Sequence, residues 1–152
     1  MVETLHEYHK VMVAIDGSDQ SEQAFEKAVH VAKVNHAALL LCHVVDIRSF
    51  SSETSIMDAG MFEELHQSMQ VKLDAYADLA HQKGIEEIQT IVETGSPKEL
   101  LAQDIPKNEQ VDLILCGQSG LSAVERFLMG SVSSFIISHA PCDVLVVRSE
   151  ET

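Results

Sequence analysis

The sequence is short of positive charge. Ten lysines and arginines stand against 24 aspartates and glutamates, a formal charge of 10 − 24 = −14. A surface of that sign repels phosphate polymers and anionic lipid at long range, which argues against nucleic acid or a membrane as partner. A small anion would have to be captured locally, by backbone dipoles and a few cations. Long apolar runs are missing too, since no stretch approaches the ~20 apolar residues that span a bilayer. The first residues carry Glu3, His6, Glu7 and His9 where a secretory leader would be basic and then apolar. A soluble, cytoplasmic protein is expected. Cysteine is sparse: Cys42, Cys116 and Cys142 form no C-x-x-C pair, and each abuts or lies in an apolar run. Buried thiols are expected, with no disulfide framework. His6 and His9 lack a third ligand for a metal. There is no G-x-x-x-x-G-K-[ST] loop, no G-x-G-x-x-G after the first strand and no internal repeat.

What is present is one domain. The 152 residues are 45% apolar, enough for a single core, with residues 1–9 as a polar tail. Strands are expected at 10–15, 38–45, 88–93, 112–116 and 143–148. Between the first two, Ser18 or Ser21 caps a helix whose buried face is Ala24, Phe25, Ala28, Val31 and Ala32. A Ser-rich connection over 46–60 leads to a long amphipathic helix at 61–83, with Phe62, Leu65, Met69, Leu73, Tyr76 and Ala80 on one face and Gly84 closing it. A third helix opens at Pro97, buries Leu100, Leu101 and Ile105, and closes early at Pro106. A fourth follows Gly130 and buries Val132, Phe135, Ile136 and His139. Strict alternation of strand and crossover helix implies an α/β fold, a parallel sheet covered on both faces.

The most informative stretch is 111–132. Its apolar run Leu113-Ile114-Leu115-Cys116 reads as a buried strand, followed by Gly117, Gly120 and Gly130-Ser131 in the spacing Gly-x2-Gly-x9-Gly-Ser. Glycines past a buried strand let backbone N–H groups approach a ligand, and a helix opening at Gly130-Ser131 offers unpaired N–H groups and a positive dipole end. Such an arrangement suits phosphate. Three further landmarks surround it: 11–18 (VMVAIDGS), 42–46 (CHVVD) and 140–147 (APCDVLVV). With them the chain resembles the universal stress proteins over nearly its whole length, specifically the branch that binds ATP through this glycine pattern.

That resemblance implies a three-layer α/β/α fold of Rossmann-like, adenine nucleotide alpha-hydrolase type, with a five-stranded parallel sheet of order 3-2-1-4-5. Ligands of open parallel sheets bind at the strands' carboxyl ends where the order reverses, here between the first and fourth strands, so Asp16 and Gly117 should face each other. By matching positions, Asp16 and the backbone around Val44 hold the nucleoside, while Gly117, Gly120, Gly130, Ser131 and Ser133 surround ribose and phosphates. Ala14, Ile15, Cys116, Ser119, Met129 and Val132 complete the candidate cofactor-binding set. Arg126, inside the nine-residue span, is the cation placed to approach a phosphate, the alternative being a solvent-facing side chain. Asp16 would bond an adenine or ribose donor or hold a Mg²⁺ that the phosphates share, the alternative being a carboxylate that caps the first helix. Met129 reads most simply as core packing. The chain departs from the family at Gln118-Ser119, where a basic residue or histidine is common.

Function follows as an expectation: a regulatory ATP-binding protein, not an enzyme, forming a homodimer through the last strand, Val144 to Val147, an apolar edge. The alternatives are a nucleotide-free dimeric interaction module and a slow ATPase. A phosphorelay receiver is disfavoured, because Glu93-Thr94-Gly95 supplies no acceptor aspartate after the third strand.

Overall fold

The computed structural model describes residues 7–46, 48, 59–119 and 129–148. Five parallel strands, β1 (Lys10–Ala14), β2 (Ala38–Asp46), β3 (Ile88–Gly95), β4 (Leu113–Gly117) and β5 (Asp143–Val147), lie in the order β3-β2-β1-β4-β5. The expected topology is therefore the observed one. In register, Val13 stands beside Leu41 on one side and Leu115 on the other. The chain reverses direction of assembly at the β1–β4 boundary, so the ends of these two strands form a shared rim.

Alternation along the strands divides the core into two layers. Val11, Val13, Leu39, Leu41, Leu113 and Leu115 face α1 (Asp19–Asn35) and α2 (Ala59–Gln82), meeting Phe25, Ala28, Met69 and Leu73. Met12, Leu40, Cys42, Ile114 and Cys116 face the other way, onto Leu101, Ile105 and Ile136. Each large apolar side chain removed from water in this way contributes about 1.5–3 kcal/mol. Because the central strands are covered on both faces they read as continuous apolar runs, which is why the sequence pattern located them.

Several local readings change. In α1 it is Val29 that is buried, with Val31 only packed against the core's margin. The α2 helix takes up residues 59 and 60, and residues 47 and 49–58 of the expected Ser-rich connection lie outside the described residues. Pro106 does not end its helix. Helix α3 (Pro97–Glu99) passes into a π-helical turn (Leu100–Asp104) and on through α4 (Ile105–Asn108). In that turn the Ile105 N–H reaches back to Leu100 O, and the widened backbone accommodates a residue that lacks an N–H. His139, expected inside, is exposed and stacks on Phe135 at the end of α5 (Ser131–His139).

The expected polar tail is docked over residues 7–9. Tyr8 OH donates to Asp143 Oδ2 at 2.8 Å, while the backbone N–H groups of His9 and Lys10 share the Asp112 carboxylate at 2.7 and 3.0 Å. Among the described residues no helix is long and apolar enough to cross a membrane.

Candidate functional site

The rim starts where β1 runs out. Ile15 N–H continues the ladder to Cys42 O at 2.8 Å. The chain then turns through Gly17, at φ 87°, into α1. Asp16 Oδ1 accepts from Ser18 N–H at 2.9 Å and Ser18 Oγ–H at 2.6 Å. Ser18 Oγ in turn accepts Ser21 N–H, making Ser18 the N-cap, while the buried Ser21 hydroxyl donates back to Ser18 O. Asp16 therefore orders the capping residue, and the cap of α1 itself is Ser18.

Across the rim, the last residue of β4 is a glycine, Gly117, for a steric reason. A Cβ there would lie 2.9 Å from Gln20 Cβ and 3.2 Å from the Gln20 carbonyl carbon, so the first turn of α1 rests on the bare backbone. Ser133 Oγ donates to Gly117 O at 2.6 Å from the first turn of α5, and Gln118 N–H pairs with Val147 O at 3.0 Å. Gly130 is the α5 N-cap and gives its first turn no side-chain bond, while its own N–H goes to Gln118 O at 2.9 Å. Gly117 and Gly130, distant in sequence, are thus brought onto one loop. A Cβ at Gly130 would lie 3.2 Å from Ser119 Cα, so proximity to that loop already accounts for the glycine without any ligand.

Of the other expected site residues, Ile15 is buried in the core layer facing α1 and α2, while the buried Val44 and Cys116 and the half-buried Ala14 belong to the opposite layer. Val132 is half-buried and Ser131 exposed. The Ser133 hydroxyl is buried and already occupied by Gly117 O. Met129 is 38% exposed, correcting the core-packing expectation, because it precedes the cap and does not lie on the apolar face of α5. Gly120 and Arg126 lie outside the described residues.

Two residues at the rim were not anticipated. Gln20 Oε1 accepts both Ser119 N–H at 2.9 Å and Ser119 Oγ–H at 2.6 Å. His43 Nδ1 lies 2.6 Å from Ile15 O, so that nitrogen carries the proton and donates. Burial lowers the His43 pKa, with Lys72 acting the same way and the Ile15 carbonyl and Asp16 opposing. A histidine whose folded pKa is depressed adds stability above its unfolded value, near 6.5, and that contribution is lost as pH falls through the folded value. We expect the urea midpoint to fall between pH 7.5 and 5.5, and to fall less in His43→Gln. Equal falls in both proteins would remove His43 from the account.

The thiolate is disfavoured by burial at all three cysteines. Burial pushes the Cys42 thiol up to about 12 and the half-buried Cys142 thiol up to about 11, and raises Cys116 as well. Cys142 is thus less enclosed than expected. Among the described residues no three His, Cys, Asp or Glu side chains gather as a metal site.

The family model described as the universal stress protein family matches residues 7–148. A relative bearing the universal stress protein name, from Staphylococcus haemolyticus, is 45% identical over 144 residues, covering 95% of this chain and 87% of its own. Among solved structures, universal stress protein UspA from Lactobacillus plantarum superposes with a TM-score of 0.79 at 28% identity, covering 94% of this chain and 99% of that one. A universal stress protein in complex with cAMP superposes at 0.69 with 25% identity, covering 95% and 100%. A match across the two rim strands, both core layers and nearly all of the chain leaves one reading: this protein belongs to the universal stress protein family.

Proposed function

We propose that the protein is a regulatory binder of ATP, taken up with Mg²⁺ at the carboxyl ends of β1, β2 and β4. The observation that carries this reading is the meeting of Gly117 and Gly130 through Gln118 O, which sets the α5 N-terminus beside the β4 loop. The first turn of α5, to which its glycine cap gives no side-chain bond, fits a phosphate group, because its N–H groups and dipole favour negative charge. On this reading Asp16 and the Val44 backbone receive the nucleoside. Gly117, Gly120, Gly130 and Ser131 surround the ribose and phosphates and Arg126 adds a cation; Asp16 is the carboxylate that would hold a Mg²⁺, which would supply charge neutralisation to the phosphates. Ser133 contributes by fixing Gly117 unless its hydroxyl is released. The cAMP held by a relative of the same fold supports an adenine nucleotide as ligand. Binding through backbone N–H groups supports ground and transition states alike, giving affinity without rate, which favours a regulatory role over turnover. Calorimetric titration with ATP in Mg²⁺ tests the reading: saturable one-to-one binding is expected, and silence with both ATP and cAMP overturns it in favour of an interaction module.

The same reading includes a homodimer through β5. That strand is last in the sheet order, and Val144, Leu145, Val146 and Val147 are each only half-buried. An apolar edge of this kind offers unpaired backbone groups and side chains to a second copy. Val146→Lys should give a monomer in a sizing experiment; an unchanged dimer would move the interface elsewhere.

A further inference from the structure

The peptide plane joining Gln118 to Ser119 is held at both of its polar atoms. Its carbonyl accepts the Gly130 N–H at the cap of α5, and its N–H is given to Gln20 Oε1 in the first turn of α1. The Ser119 hydroxyl converges on the same Gln20 oxygen, so rotation of the serine as well as of the plane is fixed. The two helices that begin at the rim are therefore strung together by one peptide unit, with Gly117 pressed against the Gln20 backbone beneath it. An α1 helix capped by Ser18 has no need of this bond for its own stability. Gln20 is half-buried, and its long side chain is spent on reaching a residue 99 positions away.

We infer that Gln20 is a positioning residue for the nucleotide site, resting on the reading above. By locking the 118–119 peptide plane it aligns the β4 loop with the start of α5 before a ligand arrives. Residues 118 and 119, held in place beforehand, spare part of the ordering cost that binding would otherwise bear. The prearrangement concerns the groups assigned to ribose and phosphates, and it reaches the nucleoside wall at Asp16 only through α1.

Calorimetric titrations with ATP and adenosine, beside thermal denaturation, test this on three variants. Gln20→Met keeps the length of the side chain and removes the acceptor; ATP affinity should fall about tenfold and adenosine affinity clearly less. Ser119→Ala should lose a smaller factor, and the double variant should bind ATP no worse than Gln20→Met alone, because the serine hydroxyl then has nothing left to hold. Gln20→Glu, which restores an oxygen acceptor, should recover the adenosine affinity that Gln20→Met loses. ATP binding within twofold of wild type in Gln20→Met, or additive losses in the double variant, overturns the inference while leaving the nucleotide reading intact. Should Gln20→Met fail to fold, Ser119→Ala decides, and an ATP affinity equal to wild type overturns the inference. A wild-type protein silent to every adenine nucleotide overturns both.

Discussion

Gly117→Ala should cost about 2 kcal/mol of stability, within the range for overpacked interiors. The added carbon would sit 2.9 Å from Gln20 Cβ and 3.2 Å from its carbonyl carbon. Neither atom is the free end of a side chain, so relief requires the first turn of α1 to lift or the end of β4 to bend. Lifting α1 breaks the Gln20–Ser119 bonds; bending β4 strains the Ser133 bond to Gly117 O. For a chain of this size the melting temperature should drop by roughly 4–8 °C. Thermal denaturation checks it. A drop below about 1 °C would mean that the helix yields freely and that the contact between α1 and Gly117 carries little energy.

Gly130→Ala should separate stability from binding. Gly130 has φ −65° and ψ 156°, which alanine adopts without strain, so the change acts through contact alone. The methyl would lie 3.2 Å from Ser119 Cα and 3.5 Å from Gln118 O, close enough to displace the loop by a few tenths of an ångström. A stability cost of about 1 kcal/mol is expected. If phosphates sit between this loop and the start of α5, ATP affinity should fall tenfold or more, about 1.4 kcal/mol, while adenosine changes much less. Equal losses for the two ligands, or no loss for either, would mean that the phosphates lie elsewhere.

The fold was legible because its information is local and periodic. Leu113-Ile114-Leu115-Cys116 and Leu39-Leu40-Leu41-Cys42 are continuous apolar runs because helices cover both faces of the strands, and the crossover helices announce themselves by their spacing. The glycine pattern marked the β4 loop and the α5 start for the same reason, a backbone requirement printed in sequence. What stayed hidden depends on pairs. Gln20 looks like an ordinary surface residue until Ser119 is placed against it, and Gly117 needs to be glycine because of Gln20, a residue of a different element. His43 lies in a run that the sequence reading noted, yet its bond to Ile15 O requires the register of β1 against β2. Pro106 misled for a related reason: the π turn that tolerates it rests on the Ile105 N–H reaching Leu100 O, a bond no propensity encodes.

These pairs bear on function because the rim is built from them. Asp16, Ser18 and Ser21 fix the start of α1; Gln20 carries that order to Ser119; Gly130 and Ser133 carry it on to α5. The claim at the centre is that this connected rim receives an adenine nucleotide. Mapping amide chemical-shift changes during an ATP titration tests it most directly. Shifts concentrated at Asp16 to Gln20, Val44, Gly117 to Gly120, Arg126 and Gly130 to Ser133 are the predicted result, whereas no shifts, or shifts clustered along β5 and α2 away from the rim, would contradict it.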